Sequence, residues 1–158
     1  MIKIHSILFF CLTLSIYLGY ESGELKGHIY PDFELMLKWC KQQNVKVYIY
    51  SSGSINAQKL LFRNTLVGDL TPYLESYFDT TSGGKKESQS YINISKAIGV
   101  VPENIVFVSD VEAEVLAARS AGIKTVISVR PGNACLSKEA DNFPKIYSLL
   151  QLCGSFFT

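Results

Sequence analysis

The sequence predicts an α/β fold, with a mostly parallel sheet and helices on both of its faces. Three observations carry this. From Tyr30 onward, strand-like and helix-like segments alternate, and such alternation requires parallel pairing through helical crossovers. The run at 105–108 is continuously apolar, as expected of a strand covered on both sides, and 124–129 reads as another buried strand. The chain has 158 residues, 47% of them apolar and 18% charged, which suits one compact domain with a real core.

The elements follow in order. Pro31 fits a first helical position, and residues 32–43 carry Phe33, Met36, Leu37 and Cys40 at helical spacing. Residues 45–50, β-branched and aromatic, predict a strand. Ser51-Ser52-Gly53-Ser54 reads as a loop and helix cap, with a helix over 57–62. A short helix is expected over 71–77 and a short strand over 77–79, then a loop over 82–86. Tyr91, Ile94, Ser95 and Ile98 place a helix over 88–98, stopped near Gly99. After the strand at 105–108 comes Asp110. An alanine-rich helix over 112–121 ends at Gly122, and the strand at 124–129 leads into the turn Arg130-Pro131-Gly132-Asn133. A last helix is expected over 143–152.

Charge narrows the function. Fifteen basic residues face fourteen acidic ones, for a net charge of +1. They form no basic stripe, so nothing points to nucleic acid as a partner. Cys11, Cys40, Cys135 and Cys153 have neither C-x-x-C nor zinc spacing. They read as free or buried thiols in a reducing compartment, and Cys135 reads by default as a small core residue. The apolar run SILFFCLTLSIYL at residues 6–18, with Lys3 before it, resembles a secretory h-region. It is short for a membrane span. A signal or anchor, a buried strand or helix, and an N-terminus that is not the true start of the coding sequence are its three readings, and the third is preferred.

In parallel sheets ligands bind beyond the carboxyl ends of the strands, which singles out Ser51–Ser54, Lys85 and Asp110. A strand ending in hydroxyl residues before a helix can cradle phosphate through hydroxyls and helix amides, although Ser-Gly-Ser is commonly only a cap. Lys85 in its loop can stabilise phosphoryl charge. Lys86 competes for the role, and most loop lysines are merely solvated. Asp110 at the end of a buried strand, with Glu114 four residues on, suits Mg²⁺. The same Asp110 also suits the N-cap of the next helix, with Glu112 and Glu114 complementing its dipole.

Strand-serine, lysine and strand-aspartate, in this order, resemble the second to fourth motifs of the haloacid dehalogenase superfamily. Tyr50-Ser51-Ser52-Gly53-Ser54 and Arg130-Pro131-Gly132-Asn133-Ala134 resemble, more narrowly, the enolase-phosphatases (acireductone synthases) of methionine salvage. Residues 19–26, 57–62, Lys85 and 87–91 extend the likeness. The resemblance implies a Rossmann-like core in which Ser51, Ser52 and Lys85 bind substrate phosphate, Lys85 rather than Lys86. It makes Asp110 a Mg²⁺ ligand and Glu114 the supporting acid. It implies a small phosphorylated metabolite as partner, 2,3-diketo-5-methylthiopentyl-1-phosphate, converted to acireductone. It also implies a monomer in the cytoplasm, and in the nucleus as well, without membrane association.

The resemblance leaves one part unmatched. The family's nucleophile lies in an Asp-x-Glu-Gly-Thr motif after its first strand, and the first aspartate here is Asp32. No catalytic nucleophile is identified. The expectation is therefore that residues 1–18 are unrelated to the family. Residues 19–158 would form a partial core that lacks the first strand and most of the cap, leaving apolar sheet edges exposed. Three functions compete: a member of the enzyme family, complete in its real form or defective as it stands; a catalytically dead phosphate-binding or protein-interaction module; and a protein secreted or tethered through residues 1–18.

Overall fold

The computed structural model describes residues 7–12 and 26–154. Within them a six-stranded sheet is flanked by four α-helices. In chain order the elements are β1 (Ile7–Leu12), α1 (Pro31–Gln42), β2 (Lys46–Ser51), α2 (Ile55–Arg63), β3 (Ser76–Phe78), α3 (Ser88–Ile98), β4 (Ile105–Ser109), α4 (Glu112–Ser120), β5 (Lys124–Ser128) and β6 (Lys145–Ile146). The strands run in the order β3-β2-β1-β4-β5-β6, and every pairing is parallel.

The expectation of a missing first strand is corrected here. Ile7–Leu12 forms β1 in the middle of the sheet, with Ile7 beside Lys46 on one side and Ile105 on the other. Six consecutive apolar residues are what a strand walled in by two neighbours requires. The strand slot that was expected to be empty, with exposed edges around it, is filled. The reading of the whole 6–18 run as a signal or anchor lies partly outside the described residues. Among those described, no helix is long and apolar enough to cross a membrane.

Side chains alternate across the sheet, and the core divides accordingly. Val47 and Ile49 of β2 join Val106 and Val108 of β4 on one face. There they pack with Phe33, Met36, Leu37 and Cys40 of α1 and Leu61 and Phe62 of α2. Tyr48 and Tyr50 turn to the other face with Phe107, Tyr91, Ile94 and the small Ala117 and Ala118 of α4. Tyr91 meets Tyr50 and Phe107 edge-on, with centroids 5.7 and 5.0 Å away, an arrangement favoured by the ring quadrupoles.

Three further expectations fail. Residues 143–152 form no α-helix: Lys145–Ile146 is an edge strand and Leu149–Leu152 a 3₁₀ turn. Pro144 biases Phe143 toward extended backbone, and the Pro144 carbonyl accepts from the Ile127 amide instead. Residues 71–77 give a 3₁₀ turn at Thr71–Tyr73 and then β3. Cys40 is buried, but Cys135 is exposed rather than packed in the core, because the loop after β5 runs over the surface.

Candidate phosphate site

The site is assembled at the carboxyl ends of β1, β2 and β4. The order of the sheet reverses about β1, since β2 and β3 lie to one side of it and β4 to β6 to the other. A crevice forms at such a point.

Ser51, fully buried, ends β2, and its hydroxyl accepts from the Gly53 amide at 3.2 Å. Ser52 is exposed beside it. The loop is held from below by Gln58, whose side-chain amide donates to the carbonyls of Gly53 (2.8 Å) and Phe78 (2.9 Å). The helix amides behind the loop are largely spent within the fold. Ser54 accepts from Ala57, and Asp79 accepts from Ile55. Any cradle here is therefore built more from hydroxyls than from the start of α2.

Lys85 is positioned by its backbone. Three carbonyls in a row are pinned: Gly83 by the Tyr50 hydroxyl (2.8 Å), Gly84 by Ser90 (2.7 Å) and Lys85 by Tyr91 (2.6 Å). Gly83 has φ +123°, and a Cβ there would meet Ser90 Oγ at 2.2 Å, so the turn requires glycine. The Lys85 ammonium reaches Glu114 Oε1 at 2.9 Å, and both side chains are nearly enclosed. Glu114 is fixed from its other oxygen, Oε2, by the Ser109 hydroxyl at 2.9 Å. Lys86 is exposed.

Asp110 does not cap α4, whose N-cap is Val111. Its Oδ2 instead accepts from the Asn133 side chain at 2.8 Å. The Asn133 carbonyl oxygen accepts in turn from the Arg130 amide. Glu112 is drawn away to Ser137, whose backbone N–H and hydroxyl both donate to it and hold its carboxyl below the ordinary range.

Among the described residues no three His, Cys, Asp or Glu side chains converge. The donor set does not fit a Mg²⁺ caged by protein alone. It fits one held by a single carboxylate, Asp110, with water and phosphate oxygens completing the shell, as Mg²⁺ commonly accepts. Charge argues the same way. Among the described residues, one ammonium stands against the Asp110 and Glu114 carboxylates, so a phosphate dianion is better received with a cation.

The haloacid dehalogenase-like hydrolase family profile matches residues 9–122. The chain belongs to that family. The chain is 52% identical over 124 residues to the enolase-phosphatase E1 of Caenorhabditis elegans, covering 78% of this chain and 50% of that one. It is 53% identical over 115 residues to the enolase-phosphatase E1 of Pseudomonas fluorescens, covering 72% and 50%. The crystal structure of the UTR4 protein of Saccharomyces cerevisiae superposes with a TM-score of 0.72 at 38% identity, covering 82% of this chain and 60% of that one. The chain thus spans about half the length of the curated relatives it matches. The residues that hold the site in place, Gln58, Tyr91, Ser109 and Asn133, had no site role legible in the sequence, where Tyr91 showed only as a helix residue and Asn133 only as a turn residue.

Proposed function

We propose that this chain carries the phosphate-binding core of an enolase-phosphatase, and that as it stands it binds phosphate esters without hydrolysing them. The observation that carries this is the Lys85–Glu114 pair, enclosed between the ends of β2 and β4 and 2.9 Å apart. An ammonium kept there by a dedicated carboxylate is poised for an anion and costs little reorganisation. Ser51 and Ser52 would donate to the phosphate oxygens. Asp110 would hold Mg²⁺, which when bound would neutralise phosphoryl charge. Likeness to the enolase-phosphatases supports 2,3-diketo-5-methylthiopentyl-1-phosphate as the ester, with acireductone as the product of the full activity.

β1 supplies no nucleophile for turnover. Leu12 stands in register with Ser51, where the strand's carboxyl end meets the site, and no aspartate occurs before Asp32. No aspartyl-phosphate can form from this strand, and losing a nucleophile costs several orders of magnitude in rate. The free thiols of Cys40, Cys135 and Cys153 support a reducing, cytoplasmic setting.

The test is an NMR titration with inorganic phosphate, with and without Mg²⁺, beside an assay on p-nitrophenyl phosphate. Amide shifts at Ser51, Ser52 and Lys85, enhanced by Mg²⁺ and without release of nitrophenol, are expected. Silent resonances would end the binding claim, and turnover abolished by Asp110→Asn would end the claim of inactivity.

A further inference from the structure

Asn133 ties together two loops that leave different strands. Its side-chain N–H donates to Asp110 Oδ2 at 2.8 Å, across the gap between the ends of β4 and β5. Its side-chain oxygen accepts from the Arg130 amide at the start of the same turn. The turn itself is anchored at depth. The Arg130 guanidinium reaches Asp32 at 2.6 Å and the Tyr147 carbonyl at 3.1 Å, and lies over the Tyr30 ring. The far end of the loop is stapled to α4 where Ser137 donates to Glu112. Both ends of the loop are therefore fixed, and Asn133 presents one donor to the carboxylate at the tip of β4.

We propose that Asn133 is a positioning residue for Asp110, which it holds in the orientation that receives a divalent cation. This rests on the reading of Asp110 as a cation ligand. A carboxylate on a one-carbon stem can rotate about two bonds. A donor fixed on one oxygen directs the other, and such outer partners commonly change metal affinity by tenfold or more. Neither Ser109 nor Glu114 can substitute, since they are engaged with each other.

Mn²⁺ serves as the probe, read by water-proton relaxation on the full chain, with side-chain amide NMR beside it. Asn133→Ala is expected to weaken Mn²⁺ about tenfold while circular dichroism stays unchanged; Asp110→Ala should abolish binding. The Asn133 side-chain amide protons should exchange slowly in the wild type and quickly in Asp110→Ala. Unaltered Mn²⁺ affinity in Asn133→Ala would reduce Asn133 to a turn residue and overturn the proposal. If the wild type binds no Mn²⁺, the cation reading of Asp110 fails by itself. The amide exchange then decides the contact, and exchange indifferent to Asp110→Ala overturns that too.

Discussion

The carboxylate of Asp32 joins the start of α1 to the last turn of the described chain. Arg130, the Ser148 hydroxyl and the Leu149 amide all donate to its Oδ2, at 2.6, 2.9 and 2.8 Å. Burial pushes the Asp32 carboxyl up, but the Arg130, Leu149 and Ser148 hydrogen bonds prevail and hold it below its ordinary 3.8. A carboxyl depressed in the folded state stabilises the fold above its unfolded value, and that contribution drains away as pH falls through the folded value. Asp32→Asn should cost about 2 kcal/mol near neutral pH, measured by urea unfolding. Its loss of stability on acidification below about pH 4 should be shallower than that of the wild type, and parallel acid profiles would refute the assignment. From the sequence, Asp32 was visible only as a residue opening a helix. Its partners lie roughly a hundred residues or more away, and no periodicity carries such a pairing. Asn133 was legible as a turn residue, but its contact with Asp110 joins two loops 23 residues apart that no local pattern links, whereas Ser51, Lys85 and Asp110 were legible because strand ends in a parallel sheet converge.

At the scale of elements, the Lys85 loop is the part most finely specified. Gly83 adopts a backbone that only glycine takes comfortably, directly against Ser90. Gly83→Ala should cost about 2 kcal/mol and release the three pinned carbonyls. Thermal unfolding would register the first effect, and faster amide exchange over the Gly83–Lys85 loop the second. Unchanged exchange there would show that the loop does not depend on the glycine. The helices α1 and α3 were readable from apolar residues at helical spacing, α4 from its alanine-rich composition, and β4 from its unbroken apolar run. The last segment was not, since apolar spacing over 143–152 suits a helix while Pro144 and the Ser148–Gln151 capping box break it into a strand and a turn. β1 was obscured differently. Six apolar residues in a row fit a signal core, a buried helix or a central strand equally well, and only the neighbours at Lys46–Ser51 and Ile105–Val108 decide.

For the whole molecule, β1 is the central strand, paired on both sides. The residues that resemble a signal core are also the middle of the sheet, and one segment cannot serve both ends at once. Phe9→Pro would remove a ladder hydrogen bond beside Tyr48 and Phe107 and should cost about 3 kcal/mol or more. Because the strand bonds to neighbours on both sides, the loss should appear as collapse of the entire cooperative transition. A variant that melts like the wild type would show that β1 is not part of the folded unit. The same placement sets a timetable for folding. β1 must wait for Ile105–Val108, roughly a hundred residues further along the chain, before its second flank can close. A sheet completed by so distant a partner folds slowly. On the ribosome, β1 would emerge long before its β4 flank, and until β4 arrives it is a natural binding segment for chaperones.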